Sequence, residues 1–483
     1  MSPVILFSLV IAYFLLLLGV AWLTSRNANN ESFFIGNRGS NWMLVAFGMI
    51  GTSLSGVTFV SVPGTVGSDA FTYFQIVIGN LIGYGVVAFV LLPVYYRMQL
   101  TSIYNYLQSR LGFRSYKTGA SFFILSRVLG ATARLYLVVN ILHLTILKDF
   151  GLPFWVGAFV ILLMILLYTF EGGVKTIVWT DTLQTACMLI GLLVCVWYIL
   201  NDLGLSLPQG VQALSDKGYS NIFVMDPDSR FFFVKQIVAG AFISITMTGM
   251  DQEMMQKNIS VRTLKDSQKN MMTFAVIFML VVLLFLFLGG LLYLFAESKG
   301  IAATGDALFP TVALEYMPGA VSIIFIIALI SALFPSADGA ITALTASFCI
   351  DILGIQRNSA LSDAKRKRIR QIVHLAFAGV FLLFVMVFKW MDNPSMIGLI
   401  LKIAGYTYGP LLGLFAFGIL TKRAVNDRLV PWVVVISPVI CFIIDHYQQQ
   451  LFGGFQIGLE LLFINGLITF LGLWLVKGKT AQA

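Results

Sequence analysis

The chain has 483 residues, 58% of them hydrophobic and only 11% charged, with a net charge of +9. Soluble domains carry about a quarter charged residues, so this composition excludes one and places the chain in a bilayer. Enzyme chemistry and ATP-driven pumping lack their residues. There is no Walker loop, zincin motif or Ser/His/Asp arrangement, and His143, His374 and His446 are too scattered for a metal centre. Cys187, Cys195, Cys349 and Cys441 all lie in apolar stretches without ligand-like spacing, as packing residues do.

A helix crosses a bilayer core with about 20 apolar residues. Such stretches predict about thirteen transmembrane helices, over 4–24, 41–64, 74–96, 121–147, 153–171, 174–200, 232–250, 271–296, 317–349, 371–391, 396–421, 429–447 and 458–477. The first, Val4–Leu23, lacks a basic leader and a small-residue exit, so it reads as a membrane helix rather than a cleaved signal. No long hydrophilic block intervenes, which predicts one all-α transmembrane domain over 1–483. Its longest external loop is 201–230, and its most basic connector, 354–370, is solvated.

Basic residues favour alternate connections. With the N-terminus outside, the inner side holds Arg26, Arg38, Arg97, Arg110, Arg114, Lys117, Lys175 and Lys257, then the run Lys365–Arg370, Lys422, Arg423, Arg428, Lys477 and Lys479. The outer side holds only Lys148, Lys217, Arg230, Lys299 and Lys389. This asymmetry predicts an outside N-terminus and a cytoplasmic C-terminus, and it explains the positive charge without nucleic acid as a partner.

Segment 2 reads Gly48-Met49-Ile50-Gly51-Thr52-Ser53-Leu54-Ser55-Gly56-Val57-Thr58, with three glycines and four hydroxyl residues near mid-membrane. Small residues either let helices pack closely or interrupt one where it lines a cavity and offers carbonyls to a cation. Segment 7 repeats the pattern with Gly240, Ser244, Thr246, Thr248, Gly249 and Asp251. Two interrupted helices five segments apart predict a five-plus-five inverted repeat over about 41–421, leaving 4–24, 429–447 and 458–477 peripheral.

Ionisable residues at membrane depth are expensive, about 2.5–3.5 kcal/mol on insertion scales, so each is a functional candidate. Here they are Asp181, Asp338, Arg134, Lys402 and Arg127. Asp181 between Thr180 and Thr182 suits a hard cation. Ser331, Pro335, Asp338 and Thr342 share one helical face, and Pro335 has no N–H to offer the Ser331 carbonyl, which is left available as a ligand.

Five stretches in order resemble the sodium:solute symporter family. They are Ser32-Phe33-Phe34-Ile35-Gly36-Asn37-Arg38, Tyr106-Leu107-Gln108-Ser109-Arg110-Leu111-Gly112, and Glu171-Gly172-Gly173-Val174-Lys175 leading to Trp179–Gln184. Then come Asp251-Gln252 with Gln256-Lys257, and Gly409–Gly413 running on to Gly418 and Lys422-Arg423. The resemblance implies a LeuT-like core working by alternating access in the cell membrane, with sodium ions and a small solute as its ligands. It places sodium on the carbonyls of Gly51, Leu54 and Ala332 and the Ser336 hydroxyl, with the Ser331 carbonyl replacing the family's second hydroxyl at Pro335. It also implies a second candidate cation site at Asp181 and Asp338, and substrate contacts at Arg134 and Lys402, with Gln75, Ser55 and Thr58 as weaker candidates. Two cationic side chains there lean the solute toward a carboxylate, although either could instead pair with Asp338. Proton coupling through Asp181 and Asp338, or a transporter-like sensor, is the alternative at this stage.

Overall fold

The computed structural model describes residues 3–25, 30–170, 173–391 and 396–478. Arg26, Glu171, Gly172 and Lys479, used above, lie outside the described residues. A helix or a bent helix pair falls in each of the thirteen apolar segments. They are α1 (Pro3–Ser25), α2a (Trp42–Ser53) with α2b (Gly56–Asp69), α3 (Tyr73–Arg97), α4 (Phe113–Leu142), α5 (Phe154–Thr169) and α6 (Gly173–Asp202). There follow α7a (Phe233–Met247) with α7b (Gln252–Ile259), α8 (Leu264–Lys299), α9 (Gly319–Ile352), α10 (Asp363–Met391), α11 (Met396–Leu420), α12 (Val430–His446) and α13 (Leu461–Leu475).

Both interrupted helices are present. The α2 halves meet at 58° and the α7 halves at 67°. Leu54 leaves the helix with φ −89° and ψ 73°, and Ser55 starts the next half in an extended conformation. In the second repeat the break runs over 248–251, and Asp251 accepts hydrogen bonds from the Glu253 and Met254 amides as the N-cap of α7b.

Several boundaries differ from the apolar pattern, for one reason. Hydropathy registers only the lipid-embedded part of a helix, while charged residues continue it into water as good helix formers. Helices α4, α8 and α10 therefore begin at Phe113, Leu264 and Asp363, and the basic run 365–370 is helical rather than a loose connector. The long loop over 201–230 carries a helix of its own, Leu207–Asp216, opened by a capping box between Ser206 and Gln209. The largest correction is α7b. Its sequence, QEMMQKNI, is too polar to register as membrane helix, yet every residue from Gln252 to Ile259 is buried.

The core wraps the two broken helices. Helix α3 runs along α7a, α6 lies against both α2a and α9, and α4 packs on α11. Close approach is built from small residues: a Cβ on Gly51 would sit 2.4 Å from the Thr185 hydroxyl and 3.6 Å from the Pro335 ring. That contact fixes the α2 break against α6 and α9. Helix α13 covers α11, and α1 reaches α9, where the Ser331 hydroxyl donates to the Tyr13 hydroxyl at 2.7 Å.

Candidate functional site

A cavity of about 120 Å³ opens beside the α2 break. Thr52, Ser53, Ser55 and Thr58 of α2 line it with Tyr73, Asn80 and Tyr84 of α3 and Arg127 and Arg134 of α4. Ile243, Ser244, Met247 and Thr248 of α7a and Ile397, Ile400 and Leu401 of α11 complete most of the wall. Ser244 donates to the Asn80 amide oxygen at 2.8 Å, tying α7a to α3 across it. The lining holds two cations and no acid.

The two arginines differ in their company. Arg127 is 4% exposed and already engaged, with Glu253 in direct contact and Asp251 at 3.6 Å. Arg134, two turns further along α4, has no hydrogen-bond or ion-pair partner among the described residues. An unpaired guanidinium in a half-apolar cavity is a site for an anion, held through two parallel N–H donors.

Other expected substrate residues lie elsewhere. Lys402 is 58% exposed and its Nζ sits 2.8 Å from Asp445 of α12, so it is turned away from the cavity. Gln75 is fully buried and clasps the loop that precedes α7a. Its amide nitrogen donates to the Thr72 and Phe231 carbonyls, and its oxygen accepts from the Val224 amide. A face assigned from sequence cannot reveal the contacts with Asp445, Phe231 and Val224, which are distant in the chain from the side chains they meet. Ser55 and Thr58 do line the cavity.

Below the cavity lies a string of buried charges that sequence reading resolved only at its ends. The Lys257 ammonium is 2.7 Å from Asp181 Oδ2, 2.5 Å from Thr52 Oγ1 and 3.5 Å from Glu253 Oε1. Lys257 was counted above among the cytoplasmic loop charges. It is instead 3% exposed, because α7b dips under α2a and α6. Asp338 pairs with neither Arg134 nor Lys402; it accepts from the Tyr168 hydroxyl of α5 at 2.8 Å and from the Gly339 amide.

The backbone at the expected sodium ligands leaves several oxygens without hydrogen bonds. Among the described residues, the Gly51 and Leu54 carbonyls accept no backbone hydrogen bond, as the interrupted helix requires. Pro335 lies inside α9 and leaves the Ser331 carbonyl without its usual donor, one turn before Ser336. Ser336 donates to the Leu333 carbonyl at 2.8 Å, which leaves its oxygen lone pairs free. These oxygens fit a hard monovalent cation.

The family model for the sodium:solute symporter family matches residues 33–428. The chain belongs to the sodium:solute symporter family. It is therefore a sodium-coupled secondary transporter of a small solute rather than an enzyme. A sodium/sialic acid symporter of Proteus mirabilis is 22% identical over 464 residues, covering 90% of this chain and 88% of that protein. The human sodium/iodide cotransporter is 26% identical over 403 residues, covering 80% of this chain and 61% of that longer protein. A solved outward-open, substrate-bound sodium-coupled sialic acid symporter superposes with a TM-score of 0.84 at 19% identity, covering 98% of this chain and 97% of that one. At that identity the match speaks for the fold, and the fold is the LeuT-like one expected.

The motif stretches now have structural roles. Gln252 reaches Thr101 and Ile103, Gln256 reaches the Phe34 carbonyl, and Lys257 reaches Asp181, so Asp-Gln…Gln-Lys clamps α7b on three sides. Arg110 donates to the carbonyls of Gly418, Thr421 and Arg423, joining the Tyr106–Gly112 stretch to the end of α11.

Proposed function

We propose that this symporter carries a small organic anion, a carboxylate gripped by Arg134, together with sodium bound at the α2 break. Relatives named for sialic acid, iodide and glucose differ too much for a name to decide the solute. The observation that carries the reading is the unpaired Arg134 in a cavity lined by no acid. Its neighbours divide into hydroxyls, from Ser55 and Thr58 to Tyr73, and apolar groups such as Ile243 and Ile400. A carboxylate with a short, partly polar body matches both.

Sodium binds to the carbonyls of Gly51, Leu54, Ala332 and Ser331 and the hydroxyl of Ser336. It joins α2 to α9 and thereby sets Ser55 and Thr58 at the solute. Rocking of the α2–α3 and α7–α8 group against α4, α5, α9 and α10 then moves the opening from one side to the other. Inward sodium movement releases about 2.3 kcal/mol per charge at 100 mV to drive it. The whole chain acts as one transport domain in the cell membrane, with α1, α12 and α13 peripheral, the N-terminus outside and the C-terminus cytoplasmic. A Ser362→Cys variant reacting with an impermeant maleimide in intact cells would overturn that orientation.

The test of function is uptake into proteoliposomes under an inward sodium gradient. Lactate, pyruvate, glucose and proline are compared, with lactate or pyruvate expected to accumulate and Arg134→Ala expected to abolish it. Accumulation of glucose or proline unaffected by Arg134→Ala would reject the anion.

A further inference from the structure

Asp181 has the chemistry of a cation site, and the chain fills it with a cation of its own. The Lys257 ammonium lies among three oxygens from three helices: Asp181 Oδ2 of α6 at 2.7 Å, Thr52 Oγ1 of α2a at 2.5 Å and Glu253 Oε1 of α7b at 3.5 Å. Two of its N–H groups donate to Thr52 and Asp181, and the Glu253 carboxylate lies in ion-pair range at 3.5 Å. The pair is sealed, with Lys257 at 3% and Asp181 at 0% side-chain exposure. A sodium ion arriving at Asp181 would have to displace a like charge that is covalently held in place.

The surroundings keep spare ligands. Asp181 Oδ1, the Gln184 amide and the Thr185 hydroxyl are buried and have no hydrogen-bond partner. Gln184 is one turn beyond Asp181, on the same face of α6. Remove the ammonium and this pocket retains two carboxylates, Asp181 and Glu253, beside two further polar side chains, Gln184 and Thr185.

We infer that Lys257 is a tethered cation that occupies the Asp181 site, so this transporter binds no sodium there, and that truncating Lys257 opens the site to an alkali ion. The inference rests on the sodium-coupled reading, but its readout is separate from the α2 break.

The test follows thermal stability of the purified full chain against sodium concentration, with choline holding ionic strength constant and no solute present. The wild type is expected to gain stability with log sodium concentration at the limiting slope of one bound ion, and Lys257→Ala at about twice that slope, since each occupied site adds its own stabilising term. Lys257→Arg, which keeps a tethered charge, should behave as the wild type. Lys257→Ala with Asp181→Asn should lose the gained ion. A Lys257→Ala slope equal to that of the wild type overturns the inference. If Lys257→Ala does not fold, Asp181→Asn alone decides: an unchanged sodium slope supports a filled site, and a lost sodium ion contradicts it. A gained ion in Lys257→Ala is readable even if Ser336→Ala shows no sodium at the α2 break, so the two readings fail separately.

Discussion

The two helix breaks look alike in sequence and are built for opposite ends. At the α2 break the Gly51 and Leu54 carbonyls accept no backbone hydrogen bond, and the neighbours are hydroxyls and glycines. At the α7 break the exposed carbonyls are already taken, Gly249 by the Tyr95 hydroxyl at 2.7 Å and Met250 by the Tyr104 hydroxyl at 2.9 Å. Asp251 caps the following half, accepts from Tyr408 at 2.7 Å and lies 3.6 Å from Arg127. An interrupted helix must place its orphan polar groups somewhere. One break gives them to the protein and becomes a locked joint. The other leaves them open, as the proposed sodium site requires.

The sharpest way to break this contrast is to unlock the joint. Arg127→Met removes the buried cation facing Asp251 and leaves Glu253 only Lys257 at 3.5 Å; removing one partner of such a pair costs about 3–5 kcal/mol. The melting temperature in detergent should fall sharply, and a variant as stable as the wild type would show that the charge string does not hold α7b. Next in size is crowding at the open break. The Cβ of Gly51→Ala meets the Thr185 hydroxyl at 2.4 Å. Overpacking of this kind costs about 1–3 kcal/mol, and sodium-driven uptake should drop about tenfold or more. Uptake at the wild-type rate would mean that α2a and α6 can part freely.

How much of this contrast was legible depended on polarity and distance in the chain. The position of both breaks followed from Gly51, Gly56 and Gly249 among hydroxyl residues. The second half of α7 did not, because its buried Gln252, Glu253, Gln256 and Lys257 look like a solvated loop until their partners are known. Asp181 was recognisable as a costly buried acid; that its neighbour is Lys257, seventy-six positions away, was not. Arg134 and Lys402 had equal standing as substrate ligands in sequence. Only packing separates them, since Asp445 claims Lys402 and, among the described residues, Arg134 has no hydrogen-bond or ion-pair partner. Gln75 shows the same limit: its three partners lie on its own turn and in the loop that precedes α7a.

Smaller effects refine the comparison. Tyr95→Phe removes one hydrogen bond from the closed break, worth about 0.5–1.5 kcal/mol, and should lower the melting temperature slightly without altering sodium affinity. A tenfold loss of sodium affinity in Tyr95→Phe would place an ion at the wrong break.

The central claim is that sodium binds where α2 is open and not where α7 is closed. The direct measurement is equilibrium sodium binding to the purified protein, comparing wild type, Ser336→Ala and Tyr95→Phe. The account predicts affinity about tenfold weaker in Ser336→Ala, the loss of about 1.4 kcal/mol expected from one ligand, and wild-type affinity in Tyr95→Phe. Unchanged affinity in Ser336→Ala, or an equal loss in both variants, would contradict it.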